Sequence, residues 1–280
     1  MERVDEYIQK AKKLPPAPRV LAELMDLLQQ TDVDNANVVR LVTFDPALTT
    51  KILQVCNSAA FAGADPVADL HEAIMRIGFG EVYRILAAIL SEQALSGTQT
   101  GYGLGQGELW DHSAITAIAA QTIARDRGLD QNLAFTAGLL HDLGKIVLAT
   151  ALEGSYSRLV EETESKGHSL LEAEKLVLGA DHAEVGGRLL EKWKFPAALV
   201  ATVTWHHDPA KAKPHEAMAA CVYLANLIAG FTGHSYGYQA FAVKGREEVL
   251  QILDLKTDAL PMLMIKTLEE AKKANILAVA

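Results

Sequence analysis

Five short stretches of the chain carry residues of the types that bind metal: His112; His141 and Asp142 within His141-Asp142-Leu143-Gly144-Lys145; His182; and the adjacent pair His206 and His207. Imidazole nitrogen and carboxylate oxygen are the donors that borderline divalent ions take from proteins, so this set could hold one or two ions. A carboxylate can bridge two such ions, and an ion that lowers the pKa of its water and polarises a phosphoryl oxygen hydrolyses phosphoesters. In that chemistry Asp142 would hold the metal, and Lys145 would stabilise developing negative charge.

Each residue also has a plainer reading. His112 lies on an apolar helix face with Ile115 and Ala119, as a hydrogen-bonded core histidine does. His206 and His207 precede Asp208-Pro209 and fit a solvated helix end, while Asp181 fits a helix cap. Trp193, Trp205 and Trp110 fit core volume, and Trp110 could also wall a pocket. The argument for a site is collective. Histidines 112, 141, 182, 206 and 207 are read as helix-borne, whereas His71, His168, His215 and His234 fall in turn-like or polar contexts. Asp142 follows the apolar run Phe135 to Leu140, where an ionised carboxylate costs roughly several kcal/mol unless it is paired, and a metal is such a partner.

The elements that must position these residues are read as helices throughout. Val20, Leu21, Leu24, Leu27 and Leu28 share one helical face. Asp45-Pro46 opens a helix with Leu48, Ile52, Leu53 and Val55 inward. Asp69 and Glu72 have the spacing of a capping box, and Gly78 ends that helix. Further helices are expected over 81–95, 108–127, 130–142, 155–166, from Ser169 and from Asp181 (with Glu172 and Glu184 as capping-box partners), from Pro196 into His206, and over 214–230, 244–253 and 258–275. Gly144 is expected to let the chain turn away after Asp142, and Gly186 and Gly187 to permit close helix packing. No stretch alternates as a strand does. The chain is therefore assigned to the all-α class. Gly97, Gly101, Gly103, Gly105 and Gly107 mark 96–107 as a connection, dividing an amino-terminal helical lobe (1–95) from a carboxy-terminal one (108–280).

Composition narrows the function classes. Among 280 residues, 26 Lys and Arg face 35 Asp and Glu, a net charge of −9, which disfavours nucleic-acid binding by bulk electrostatics. The two cysteines, Cys56 and Cys221, lack CxxC spacing and read as buried reduced thiols. The first residues have no signal-peptide pattern, and the apolar windows Ile85 to Leu90 and Ala134 to Leu152 are too short or broken by His141, Asp142 and Lys145 to read as membrane spans. A soluble, cytoplasmic protein without a membrane partner is expected.

Beyond these readings, the order of motifs resembles a known family. His112, the 141–145 run, His182 and the 206–207 pair look like the metal-site series of the HD superfamily of metal-dependent phosphohydrolases. Leu14-Pro15-Pro16-Ala17-Pro18, Asp45-Pro46-Ala47-Leu48, Asn57-Ser58, Ala73-Ile74-Met75-Arg76-Ile77-Gly78, Trp110-Asp111-His112-Ser113, Gly138-Leu139-Leu140-His141-Asp142 and Trp193-Lys194-Phe195-Pro196 match, in order, the HDOD family of bacterial signalling output domains. That resemblance implies an amino-terminal helical bundle packed on an HD-like bundle, and a regulatory role through signalling proteins or a small phosphorylated ligand. It also implies a divalent ion such as iron or manganese, with His112 and His141 serving one ion, His182, His206 and His207 a second, and Asp142 bridging. Two departures weaken the case for hydrolysis. Asn226 stands where the HD series has its final aspartate, so it would be a weak ligand at best. The Gly-Tyr-Pro signature of the cyclic-dinucleotide phosphodiesterase branch is missing, since Gly237-Tyr238-Gln239 and Gly101-Tyr102-Gly103 do not match it. Metal-dependent phosphohydrolysis with Asp142 and Lys145 at its centre is the alternative to a regulatory role.

Overall fold

The computed structural model describes residues 2–11, 19–28, 46–57, 66–234 and 246–274. The expectations for Leu14 to Pro18, Asp45, Ser58 and Gly237-Tyr238-Gln239 fall outside these residues. Among the described residues there are fifteen α-helices and no strand: α1 (Glu2–Lys10), α2 (Arg19–Leu28), α3 (Pro46–Cys56), α4 (Leu70–Ile77), α5 (Phe79–Leu95), α6 (Glu108–Arg127), α7 (Gln131–Leu140), α8 (Gly144–Leu152), α9 (Tyr156–Val160), α10 (Leu170–Leu178), α11 (His182–Lys192), α12 (Ala197–Thr204), α13 (Glu216–Phe231), α14 (Arg246–Ile252) and α15 (Ala259–Ala274).

The long helix α6 is the axle. Its alanines keep its surface low, and it is buried on nearly every side by α7, α13, α15 and α5. Gly128, at φ +68°, ends it by donating to the carbonyls of Ala124 and Arg125. On α7, Gly138 meets α6 so closely that a Cβ there would lie 2.6 Å from the Cα of Ala117. Around α5 gather α2, α3 and α4, with Leu21, Leu24, Ile52 and Leu86 fully buried. Tyr83 ties this group to α7 through a 2.8 Å hydrogen bond with Thr136. The first helix docks elsewhere, on α11 and α8, where Asp5 receives Arg188 at 3.1 Å and Lys192 at 2.8 Å.

Local signals place most boundaries. Ser169 with Glu172, and Asp181 with Glu184, form reciprocal capping boxes at the starts of α10 and α11. Asp69 caps α4, but Glu72 reaches the Ala68 N–H instead of the cap's own, so that pair is displaced by one residue. The 155–166 segment narrows to α9 followed by a π turn over Glu161–Ser165. The helix expected to run from Pro196 into His206 stops at Thr204, and His206 and His207 lie in the turn beyond it.

The glycine-rich connection is folded. A 3-10 turn spans Thr100–Tyr102, Gln99 pairs with Leu104, and Gly107 donates to the Ser96 carbonyl at 2.9 Å, bringing the end of α5 beside the start of α6. Gly101 packs against α8, where a Cβ would stand 2.0 Å from the Ala149 carbonyl oxygen. The apolar run Gln131–Leu152 is long and apolar enough to cross a membrane, yet 94% of its 18-residue apolar window is buried inside the fold and a turn at 141–143 divides it into α7 and α8. Both cysteines are free and buried.

Candidate metal centre

Four imidazoles are fixed in the same manner, each by its Nδ1. His112, in the second turn of α6, lies 2.6 Å from the carbonyl of His234. His141, at the end of α7, lies 2.8 Å from the carbonyl of Gly138, and His206 lies 2.7 Å from that of Val203. His182, the first residue of α11, has Nδ1 2.8 Å from a carboxylate oxygen of Glu174, while its backbone N–H donates to the same oxygen at 2.8 Å. A carbonyl or carboxylate can only accept, so each Nδ1 carries the proton. In a neutral ring that leaves Nε2 as a lone pair turned inward, the orientation that outer partners impose on metal-binding histidines.

The inward atoms form two groups, His112 with His141 and Asp142, and His182 with His206 and His207; within each, the donor atoms lie within 4.8 Å of one another. Asp142 joins the groups. Its Oδ1 lies 3.2 Å from His182 Nε2, and its Oδ2 lies 3.3 Å from His141 Nε2 and 3.9 Å from His112 Nε2. Lys145, fully buried in the first turn of α8, donates to Oδ2 at 2.7 Å.

Gly144 makes this arrangement possible, for a reason other than the turn expected of it. The turn itself falls at 141–143, before Gly144, which begins α8 without the positive φ that would call for a glycine. Instead Gly144 lets α8 touch α11: a Cβ would stand 1.9 Å from the carbonyl oxygen of His182. Gly186 faces it across the contact, and Gly187 packs on Thr204, as expected of a close helix pair.

Burial and neighbouring charge divide the imidazoles. Burial and the nearby His141 hold His112 down to about 3. His206 and His207 are likewise held well below the usual value by burial and by the adjacent rings. Burial presses His182 the same way, but the Glu174 carboxylate outweighs it and holds this ring up to about 9. His182 therefore carries a second proton at neutral pH, on Nε2, facing Asp142 Oδ1 and the Nε2 of His207 at 3.1 Å. Burial would raise Asp142, yet His141 and Lys145 hold it well below the carboxylate range.

The donor set fits a divalent ion. Among the described residues His206 Nε2 is buried and has no hydrogen-bond partner, and His141 Nε2, although near Asp142, lacks the alignment of a hydrogen bond. Buried lone pairs of this kind are stabilised by a bound cation.

The same chain order is recognised in known proteins. The HDOD domain model matches residues 14–209. The chain belongs to the HDOD family. Among HDOD relatives of known structure, an HDOD domain protein of unknown function from Geobacter sulfurreducens superposes with a TM-score of 0.71 at 23% identity, covering 99% of this chain and 92% of that one. A candidate signal transduction protein from Marinobacter aquaeolei VT8 superposes with a TM-score of 0.78 at 21% identity, covering 99% of this chain and 64% of that one. These likenesses establish the all-helical HDOD fold. An uncharacterized Treponema pallidum protein is 26% identical over 230 residues, 81% of this chain, which spans only 44% of that protein's length. Ribonuclease Y of Opitutus terrae is 34% identical over 118 residues, 42% of this chain and 17% of that protein.

Of the residues singled out in the HDOD sequence, the fold gathers His112, His141, Asp142, Lys145, His182, His206 and His207. Asn226 lies half-buried on α13 and makes no side-chain hydrogen bond among the described residues. Two residues of this centre escape a reading by motif. Glu174, fully buried on α10, holds His182, and Tyr102 of the glycine-rich connection donates to Glu174 at 2.7 Å. A glutamate inside an apolar helix followed eight residues later by a histidine was the available signal for the first.

Proposed function

We propose that this HDOD chain is a bacterial, cytoplasmic signal-transduction module whose HD-type centre takes one or two transition-metal ions, iron or manganese being suited to its donors. It acts through contacts with signalling proteins or through a small phosphorylated ligand. His182, His206 and His207 would hold one ion and His112 and His141 the other, with Asp142 between them and Asn226 adding little.

The observation that carries this reading is the closure of the centre. His141, His182, His206 and Lys145 are 0% exposed and Asp142 is 1% exposed, so protein encloses all but His207. Structural metal sites are closed in their coordination, whereas catalytic sites keep an open position for substrate, and side chains enclosed to this degree favour the closed kind. Lys145 is engaged with Asp142 at the middle of the site, which suits charge balance within the site better than capture of a phosphate from solvent.

The second reading is metal-dependent hydrolysis of a nucleotide or another phosphoester. The full histidine set and the partial likeness to ribonuclease Y favour it. When bound, such ions would supply a water of pKa about 7 and polarise a phosphoryl oxygen. The chain's own part would be to hold the ions through its histidines and Asp142, with Lys145 offering a positive charge.

Elemental analysis of protein purified without chelator, followed by a phosphodiesterase and nucleotidase panel with added manganese or iron, separates the readings. Stoichiometric metal without turnover is the expected result. Turnover lost in Asp142→Ala would replace the first reading by the second, and absence of metal would overturn both.

A further inference from the structure

Among the described residues three large, exposed apolar side chains share one helix, α15: Met262 at 57%, Ile265 at 51% and Leu268 at 39%. The others, Met75, Tyr156, Leu176 and Phe231, stand singly on four different helices, as scattered surface residues ordinarily do. Helix α15 packs on α6 through its other side, where Leu260, Leu263, Thr267 and Ala271 are buried and Lys266 reaches Asp126 of α6 at 2.6 Å. It therefore carries two apolar faces, and the described fold covers one of them.

The charges on the open face are arranged symmetrically about its apolar centre. At about 100° per residue, Asp258, Met262, Leu268, Glu269 and Lys272 all fall within roughly 60° of Ile265 around the helix, and all of them are exposed. Asp258, just before the first helical turn, and Lys272, in the last turn, stand seven residues to either side of Ile265, about 21 Å apart along the axis. Neither makes an ion pair or a side-chain hydrogen bond among the described residues. The flanking lysines, by contrast, are engaged within the chain, Lys266 with Asp126 and Lys273 with Glu270.

We propose that this face pairs with the same face of a second copy of the chain, the two α15 helices lying antiparallel about a two-fold axis at Ile265. Ile265 then meets its own counterpart, Met262 meets Leu268 on either side of it, and Asp258 of each copy stands opposite Lys272 of the other. A stripe whose opposite charges lie at equal distances from an apolar centre is complementary to itself, which is what an isologous contact requires. Parallel pairing would set Asp258 against Asp258 and Lys272 against Lys272. An anionic lipid surface would meet Asp258 and Glu269 on the same stripe and be repelled by them. Exposed ion pairs add little affinity, so these two fix direction and register while the apolar centre supplies the association. The surface lies outside residues 14–209 matched by the HDOD model, and the proposal does not rest on metal at the histidine cluster.

Sedimentation velocity on the full chain tests it, with melting temperature and helical circular dichroism as controls for folding. A single helix pair is a small interface, so a monomer–dimer equilibrium with Kd on the order of 1 to 100 μM is expected. Ile265→Asp, an exposed change at the two-fold axis, should leave the protein folded and monomeric up to about 200 μM. Lys272→Asp and Asp258→Lys should each weaken the dimer about tenfold, because each turns two attractions into two repulsions. The two changes together should return Kd to within about threefold of the wild-type value, since the exchanged charges again meet their opposites. Non-specific association through apolar side chains would not show that rescue. A wild-type protein that stays monomeric over this range, a dimer that survives Ile265→Asp, or a double variant weaker than either single one would overturn the proposal.

Discussion

Glu174 accepts from both the backbone and the ring of His182, and this double hold sets the chemistry of the second histidine group. One carboxylate fixes where α11 begins, which way the ring faces and which proton it keeps. A proton held on His182 Nε2 competes with metal for the same lone pair.

Metal affinity is accordingly expected to rise with pH through neutrality and to level off near 9, the value at which His182 loses that proton. Uptake of manganese at pH 7.5 should release a proton into weak buffer. Glu174→Gln should abolish most of that release and weaken metal binding by about 10-fold to 100-fold, as loss of an outer partner does. The same shift governs stability in chelator-treated protein. The ring's unfolded value is about 6.5, so the stabilisation from Glu174 is complete below that pH and is lost as pH rises through 9. Denaturant melts of wild-type and Glu174→Gln protein should converge toward high pH; a constant gap would disprove the account.

Asp142→Asn should strip the site of metal and leave the Lys145 ammonium buried without its anion. A loss of about 3 to 5 kcal/mol is expected, and Asp142→Asn with Lys145→Met should recover much of it without restoring metal. Urea unfolding alongside metal analysis distinguishes the two effects.

Gly144→Ala should force α8 away from His182, because the clash is with backbone rather than with a movable side chain. A cost of roughly 2 to 3 kcal/mol is expected, with weaker metal binding. Gly186→Ala, whose nearest contact is 3.2 Å, should be milder. Equal melting temperatures for the two variants would contradict this.

Asp5 is held down to about 2 by its hydrogen bonds from Arg188 and then Lys192. Its contribution to docking α1 is present above the unfolded value near pH 4 and is lost as pH falls toward 2. Hydrogen exchange should show α1 opening more readily in Asp5→Asn at pH 7, and the difference should vanish at pH 2.

Sequence reading succeeds here where the cause is local. The Ser169 and Asp181 capping boxes and the Gly78 stop are decided within three or four residues, and they appear where spacing puts them. The histidines were legible because five of them in helical contexts are hard to explain as core. Glu174 was not, since a glutamate in an amphipathic helix ordinarily faces water and its partner lies on the next helix. Helix α8 was hidden because an apolar run shows no periodicity when every face is buried. Gly144 was misread for a related reason: only the approach of α11, remote in sequence, shows that the missing Cβ matters more than the backbone angle.

The donors come from stretches that begin at His112 and end at His207, and no two of the stretches meet until their helices have docked. An ion can therefore hold the full set only in the finished fold, so it acts on escape from the native state more than on arrival. Chelation should speed unfolding and leave the refolding rate nearly unchanged, and occupancy should lengthen the lifetime of the folded chain. With an ion bound, the centre would serve as a latch, closed last and opened first.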